Sequence, residues 1–252
     1  MAELAAARRR KRRRQAIIFA LTALVALGLI YLVSRSNHKA ASKRPVSRTA
    51  AAKAAASHST PGCPPAGGSA KRRTSFPGPP PMCISASASY SATVRTTAGN
   101  FVIALSNASP RTVNDFVFLA RYHFYDGTIF HRVVKGFVVQ GGDPNPPTAS
   151  NPNPGPQGPG YTVAGEVPPA GSYHLGTVAM AKTATAPPGT TGSQFFVVMG
   201  PSAESLPPQY SILGTVTKGM GTLQKIMAGG SASPSGTPHV TYRIISVSIS
   251  KR

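Results

Sequence analysis

The sequence predicts a mainly β domain, either a closed barrel or a sandwich capped by helices, that follows one N-terminal transmembrane helix and a flexible linker. Three observations support this prediction. Residues 15–33 are uncharged and almost entirely apolar, residues 34–87 contain few large apolar side chains, and residues 88–252 contain many short strand-like runs separated by Gly and Pro. Many short strands with few helices, in a domain of about 165 residues, favour one β-barrel or sandwich.

The N-terminal tail, residues 1–14, ends in RRRKRRR and is followed directly by the apolar run QAIIFALTALVALGLIYLV, residues 15–33. A helix of this length can span roughly 30 Å of hydrocarbon, and basic residues beside a span stay on the cytoplasmic side. We therefore expect a single-pass membrane protein with a cytoplasmic N-terminus and an extracytoplasmic domain. The length of the apolar run, with no small-x-small site close behind it, favours an uncleaved anchor over a signal peptide.

The net charge of +21 could instead indicate nucleic-acid binding. The charge is concentrated, however, because residues 1–87 carry 16 Lys and Arg and one Glu, whereas residues 88–252 carry 11 Lys and Arg and five Asp and Glu. We expect no nucleic-acid partner. An alternative interpretation, in which the basic tail itself binds anionic lipid or nucleic acid, stays open.

The linker, residues 34–87, is expected to be a flexible stalk rich in Ala, Ser and Pro, because it cannot bury enough apolar surface to offset its ordering entropy. Its section from Cys63 to Cys83 is expected to be a loop pinned to the edge of the domain. Disulfides form outside the cytoplasm, and one here would close a loop of about 20 residues and stabilise the fold by on the order of 3 kcal/mol. We predict that these cysteines pair; two unpaired thiols are the alternative.

The domain, residues 88–252, is expected to begin with a β-hairpin and an amphipathic helix. Apolar residues alternate in SATVRTTAGNFVIALS, as in a half-buried hairpin. In SPRTVNDFVFLARY, Ser109 is a candidate N-cap and Pro110 a candidate first helical residue. The later strand-like runs are TIFHRVV, FVVQGG, TVAMA, SQFFVVMG, SILGTV and YRIISVSIS, with a shorter helix predicted in MGTLQKIM.

Common catalytic motifs are absent from the sequence, which contains no nucleophile elbow, H-E-x-x-H or P-loop. The six histidines are scattered, and His123 and His131 lack the spacing of a helical metal pair. We therefore expect neither a metal nor a cofactor. The long Pro- and Gly-rich loop, residues 143–161, is expected to be functional or to wrap the surface.

The run FHRVVKGFVVQGGDP, residues 130–144, has a strand-like apolar pattern that contains Arg132 and Gln140. A charge among apolar side chains is costly unless a structural or functional role requires it. A structural role would pair Arg132 with a carboxylate such as Asp143. A catalytic role is the alternative.

At this run the chain resembles the cyclophilin family of peptidyl-prolyl cis/trans isomerases. FHRVVKGFVVQGGDP is similar to the family's F-H-R-x-x-x-G-F-x-x-Q-G-G-D segment, GSQFFVV to its G-S-Q-F-F-I segment, and AMAK and YSILGTV to two further segments. The resemblance covers roughly residues 91–249. It implies a closed eight-stranded antiparallel β-barrel capped by two α-helices, with the site on its outer face, here in a membrane-anchored bacterial form.

The resemblance also implies roles for individual residues. Arg132 matches the catalytic arginine, Gln140 matches the glutamine that contacts the substrate backbone, and Lys182 matches a position whose main chain pairs with the peptide. The walls of the proline pocket match Phe137, Val138, Phe196, Leu206, Tyr210 and Leu213. About three extra residues in TATAPPGTT lie beside the groove and would affect recognition of the residues that flank proline.

Arginine chemistry suits this reaction. An Xaa-Pro bond rotates slowly because the nitrogen lone pair is delocalised, which gives a barrier of roughly 18 to 20 kcal/mol. When the bond twists, the lone pair becomes a hydrogen-bond acceptor, and Arg132 could donate to it. The expected function is prolyl isomerisation of exported or envelope proteins by a monomer. A proline-motif binding module, or a holdase chaperone with little turnover, is the alternative.

Overall fold

The computed structural model describes residues 62–69, 71–146 and 158–251. The predicted basic tail, the predicted transmembrane helix and residues 34–61 lie outside the described residues. None of the helices in the described part of the chain has the length and apolar character needed to cross a bilayer.

The described residues form ten strands and three helices. The strands are β1 (Tyr90–Thr96), β2 (Gly99–Leu105), β3 (Arg132–Val134), β4 (Val138–Gly141), β5 (Val163–Ala164), β6 (Thr177–Met180), β7 (Thr190–Thr191), β8 (Phe195–Val198), β9 (Ile212–Lys218) and β10 (Ile244–Lys251). The helices are α1 (Pro110–Arg121), α2 (Pro201–Glu204) and α3 (Met220–Ala228). The predicted mainly β class is confirmed, as are the opening hairpin and the two longer helices.

Eight of these strands form one curled antiparallel sheet in the order β10-β1-β2-β9-β6-β8-β4-β3. Pairing of β9 shifts register opposite both β2 and β6, and such bulges increase the local twist of a sheet. The edge strands β3 and β10 do not pair with each other in a ladder. An isolated bridge between Ile129 and Arg243 connects the two edge regions instead, and a second one joins Val134 of β3 to Ser231, in the segment after α3.

The core lies inside the curled sheet and beneath α1. Val94 and Ile103 of the opening hairpin are fully buried, as their alternation predicts. Helix α1 begins at Pro110, but the side chain of Ser109 makes no capping hydrogen bond. The Glu166 carboxylate caps the helix instead, because it accepts hydrogen bonds from the backbone N–H groups of Arg111 (2.9 Å) and Thr112 (3.2 Å).

The N-terminal strap, which we define as residues 62–69 and 71–89, packs on α1 and on the loop that follows it. Phe76 is only 4 % exposed and its ring centroid lies 4.9 Å from that of Phe118. Asn114 of α1 forms two hydrogen bonds with the strap near Cys83. Its side-chain NH₂ donates to the carbonyl of Pro81 (2.9 Å), and its side-chain carbonyl accepts from the backbone N–H of Cys83 (2.6 Å). This docking agrees with the pinned loop expected between the cysteines and differs from a free stalk over residues 62–87.

A disulfide joins Cys63 to Cys83, as the sequence predicts. It closes the strap over 20 residues of chain. The free-stalk prediction did not account for Phe76, whose ring packs on the aromatic surface of α1 and, together with the Asn114 hydrogen bonds, holds the surrounding polar segment there.

Helix α1 itself carries a buried acid, Asp115. Asp115 is fully buried, and its Oδ1 accepts a hydrogen bond from the hydroxyl of Tyr161 at 2.7 Å. Burial raises the pKa of this carboxyl to about 7, against the lowering effect of hydrogen bonds from Tyr161 and Thr191. The folded protein therefore holds a proton at Asp115 at mildly acidic pH, where the unfolded chain has lost it.

Replacing this acid, Asp115→Asn, should stabilise the protein at alkaline pH. The folded pKa lies above the ordinary value of 3.8. The contribution of this carboxyl to the free energy of unfolding is therefore fully present below about pH 4 and is lost as the pH rises through about 7. The amide keeps an acceptor for Tyr161 and cannot ionise, and its gain at pH 8 is at most about 4 kcal/mol. Urea unfolding should give similar stabilities near pH 4 and diverging ones toward pH 8; parallel curves would contradict the prediction.

Candidate active site

A cavity of about 320 Å³ opens on the outer face of the sheet. Its lining residues come from three neighbouring strands, β3, β4 and β8, and from loops beside the sheet. They are Arg132, Phe137, Val138, Gln140, Ala181, Lys182, Phe196, Leu206 and Tyr210. The structure thus brings together every predicted catalytic and substrate-binding residue except Leu213.

Strand register places the key side chains in one row. Arg132 of β3 lies opposite Gln140 of β4, Gln140 lies opposite Phe196 of β8, and Phe196 lies opposite Ala179 of β6. Directly opposed residues in an antiparallel sheet project to the same face. The row therefore runs from a cation through an amide to an apolar ring across three adjacent strands and ends at Ala179 on a fourth.

The apolar end of this row is a pocket wall. Phe196 points outward while its neighbour Phe195 is buried in the main core, as the alternation of a strand requires. The rings of Phe196 and Tyr210 meet edge to face at 5.3 Å between centroids. Tyr173 holds that wall in place, since its hydroxyl donates to the carbonyl of Tyr210 and accepts from its N–H, both at 2.9 Å.

The Arg132 guanidinium lies at the polar edge of the pocket. Its Nη1 donates to Gln140 Oε1 (3.4 Å), its Nη2 donates to the carbonyl of Pro234 (3.2 Å), and its central carbon lies 5.7 Å from the ring centroid of Phe137. Burial lowers the pKa of this guanidinium, and the electrostatic interaction with Tyr210 offsets part of that lowering. No carboxylate pairs with Arg132 among the described residues, so the pairing with Asp143 that a structural role would need is absent.

A glycine makes room for this arginine. Gly236 adopts a positive φ of 68°, and a Cβ there would lie 2.7 Å from Arg132 Cγ. Any larger residue would displace the arginine stem or strain the backbone. The loop before β10 is therefore shaped around Arg132.

Asp143 has different partners. Its Oδ2 accepts a hydrogen bond from Gln194 Nε2 (2.9 Å) and its Oδ1 accepts one from the N–H of Asn145 (2.9 Å). Burial raises the pKa of Asp143, and the bond from Asn145 lowers it. Gln194 in turn accepts a hydrogen bond through Oε1 from Gln140 Nε2 at 3.0 Å.

Lys182 lies where the pocket meets a second cavity of about 300 Å³, which also borders Gln140 and Ala181. Its ammonium donates to the carbonyls of Thr183 (3.2 Å) and Ala186 (3.0 Å) and lies 5.7 Å from the ring centroid of Tyr210. The extra residues of TATAPPGTT therefore line the second cavity. The two cavities share Gln140, Ala181 and Lys182 and together form one groove.

The prediction that Leu213 lines the pocket is wrong. Leu213 is fully buried in the main core, whereas its neighbour Ile212 packs against the apolar cluster of the pocket. The register shift between Val178 and Ala179 brings Ile212 opposite Ala179. Adjacent residues of a strand face opposite sides, so Leu213 must point inward.

Sequence reasoning also missed two residues of the groove, Ala181 and Gln194. Gln194 lies two positions before Phe196, and that spacing in a strand places both on the same side. Ala181 precedes Lys182 in the motif already singled out. Counting strand parity from Phe196 would have found Gln194, whereas Ala181 is adjacent to Lys182 and has the opposite parity, so its place depends on the pairing of Ala179 with Phe196.

Comparisons with known proteins agree with this geometry. The profile of the family described as "Cyclophilin type peptidyl-prolyl cis-trans isomerase/CLD" matches residues 91–249. The chain is 37 % identical over 139 residues to a peptidyl-prolyl cis-trans isomerase-like 1 of Neurospora crassa, covering 53 % of this chain and 78 % of that protein. It is 39 % identical over 163 residues to a probable peptidyl-prolyl cis-trans isomerase B of Mycobacterium leprae, covering 58 % of this chain and 51 % of that protein.

A solved structure is also similar. It is the crystal structure of a Cryptosporidium parvum cyclophilin type peptidyl-prolyl cis-trans isomerase in the presence of the dipeptide Ala-Pro. The TM-score is 0.54 at 28 % sequence identity, and the match covers 64 % of this chain and 99 % of that chain. The similarity therefore includes the complete fold of that protein.

Leucine truncations should separate the core from the pocket. Leu213→Ala should cost about 2 to 5 kcal/mol of stability, as expected for a fully buried leucine. Leu206→Ala, at the rim of the pocket, should cost less stability but weaken binding of proline peptides about 3- to 10-fold through lost apolar contact. Denaturant unfolding and peptide titration test both; a stable Leu213→Ala protein with weakened peptide binding would restore Leu213 to the pocket.

Proposed function

The chain belongs to the family of cyclophilin-type peptidyl-prolyl cis-trans isomerases, and on that premise we propose that Arg132 catalyses rotation about Xaa-Pro bonds. The observation that carries this proposal is the position of the guanidinium, at the edge of an apolar pocket and without a carboxylate partner among the described residues. A protonated donor with spare N–H groups beside a slot for the pyrrolidine ring is the arrangement the reaction needs. The substrates are proline-containing polypeptides.

The chemistry requires no bond to break. Twisting the imide interrupts conjugation, the prolyl nitrogen becomes pyramidal, and its lone pair can accept a hydrogen bond that the planar state cannot accept. Arg132 donates to the lone pair, so its interaction is stronger in the transition state than in the ground state. The lone pair provides the acceptor and the guanidinium provides the proton, which it keeps throughout.

One hydrogen bond does not account for the whole rate enhancement. A turnover near 10³ per second corresponds to a barrier of about 13 kcal/mol, which requires a reduction of roughly 5 to 7 kcal/mol. A charge-assisted hydrogen bond supplies about 1.5 to 3 kcal/mol. The apolar wall around Phe196 would hold the ring and exclude water, and Gln140 would orient the peptide backbone, which supplies the remainder.

Removal of the guanidinium, Arg132→Ala, should lower kcat/KM for a proline peptide about 10- to 100-fold, the range for one charge-assisted hydrogen bond. A protease-coupled isomerisation assay on the full chain measures this loss. The exposed Arg95 of β1 supplies the matched control, Arg95→Ala, which should keep wild-type activity. Equal rates for wild type and Arg132→Ala would remove the catalytic role and favour the binding-module or holdase alternative.

We further propose that residues 15–33 anchor the chain in a bacterial cell membrane as an uncleaved span, with the domain outside the cytoplasm, where it acts as a monomer on exported or envelope proteins. The uncharged run behind RRRKRRR supports this topology. The disulfide between Cys63 and Cys83 is compatible with an oxidising compartment.

Topology can be tested on intact cells that express the full chain. External protease should remove the domain while a cytoplasmic marker protein survives, because the span would place residue 34 onward outside the membrane. Protection of the domain until the cells are lysed would contradict this placement.

A further inference from the structure

We propose that Asp143 is a positioning residue that fixes the orientation of two side-chain amides, those of Gln194 and Gln140, and through them the orientation of Arg132. This inference rests on the proposed function of Arg132. It assigns a role to a buried carboxylate that does not line the pocket.

The four side chains form a continuous relay of hydrogen bonds. Gln194 Nε2 donates to Asp143 Oδ2 (2.9 Å), Gln140 Nε2 donates to Gln194 Oε1 (3.0 Å), and Arg132 Nη1 donates to Gln140 Oε1 (3.4 Å). Every donor in the relay points toward Asp143. Arg132 begins β3, Gln140 lies in β4, Gln194 directly precedes β8 and Asp143 follows β4. The pairing of β4 with β3 and β8 that builds the pocket therefore also brings the relay together.

The direction of the relay follows from donor and acceptor chemistry. An ionised carboxylate can only accept, so it selects the orientation of Gln194 in which the NH₂ group faces Asp143. The carbonyl of Gln194 then faces Gln140 and selects its NH₂ group in the same way. The carbonyl of Gln140 then faces the guanidinium and accepts its hydrogen bond. In a flipped Gln140, the NH₂ group would face the N–H groups of Arg132, and two donors would meet.

Both oxygens of Asp143 are used, which makes the charge necessary. Oδ1 accepts from the N–H of Asn145 while Oδ2 accepts from Gln194. An asparagine at this position has one oxygen, so keeping the bond to Asn145 would turn an NH₂ group toward Gln194. That change would reverse Gln194 and then Gln140, and the relay would end in a donor facing Arg132.

The backbone next to Asp143 lies unusually close to the segment that carries Gln194. The carboxylate is fully buried, and Gly142 before it has a φ of 86°, where a Cβ would lie 2.6 Å from the carbonyl of Ser193. Only glycine allows the strand end to approach β8 this closely. The His131 side chain also forms a hydrogen bond with Gln194, but burial lowers the pKa of its imidazole to about 4, so no charge on His131 sets the relay at neutral pH. Two N–H donors, from Asn145 and Gln194, face the two oxygens of Asp143.

The direct test combines Asp143→Asn with Arg132→Ala in the full chain, using the isomerisation assay together with denaturant unfolding. Asp143→Asn should lower kcat about 5- to 10-fold with a smaller change in KM, since the amide relay orients the group that acts in the transition state. In the Arg132→Ala background the same substitution should change kcat less than 2-fold, because the group it orients is gone. A loss of equal size in both backgrounds would overturn the inference.

A compensating variant tests the direction of the relay. In Asp143→Asn/Gln194→Glu, the asparagine NH₂ can donate to the new carboxylate, which accepts from Gln140 and restores its orientation. This double variant should recover at least half of the lost kcat. No recovery, in a protein that unfolds like the wild type, would contradict the relay.

Two further comparisons keep the outcomes separate. If Arg132→Ala is as active as the wild type, the proposed function fails; if Arg132→Ala is impaired and Asp143→Asn is not, only the relay fails.

Should Asp143→Asn not fold, Gln194→Leu interrupts the relay at the next side chain. Its loss of kcat should likewise disappear in the Arg132→Ala background, and a loss that persists there would overturn the inference.

Discussion

The antiparallel register of β3, β4 and β8 is the constraint on which the site depends. It sets Arg132 opposite Gln140 and Gln140 opposite Phe196, so a cation, an amide and an apolar ring share one face of the sheet. A shift of one residue in either pairing would turn these side chains toward the core. The same pairing fixes Phe195 in the interior and Phe196 in the pocket, which ties the stability of the curled sheet to the geometry of the site.

Charge and apolar surface have separate tasks in this arrangement. The wall formed around Phe196 and Tyr210 offers a dry surface to a proline ring, while Arg132 is held at its edge by neutral acceptors, Gln140 and the carbonyl of Pro234. A carboxylate partner would neutralise the guanidinium and compete for its N–H groups. Neutral acceptors hold the side chain in place and leave its charge available to a substrate.

Sequence patterns predicted the mainly β class, the hairpin and both longer helices. Of the nine residues proposed for catalysis and substrate binding, eight lie together around one cavity. The exception, Leu213, depends on a register shift in the pairing of β6 with β9, and local alternation carries no information on a bulge in the partner strand. Capping of α1 by Glu166 and docking of the strap through Phe76 were also missed, because both are contacts between segments far apart in sequence. Local composition indicates the conformational entropy that a segment loses when it becomes ordered. It does not reveal a long-range contact that can offset this loss.

The most direct measurement is a crystal structure of the chain with a bound Xaa-Pro peptide. The account predicts that the pyrrolidine ring packs against Phe196 and that a guanidinium nitrogen of Arg132 lies within about 3.5 Å of the prolyl nitrogen, a distance at which it can donate. A ring bound outside the pocket, or an Arg132 side chain turned away from the imide toward a carboxylate, would contradict it.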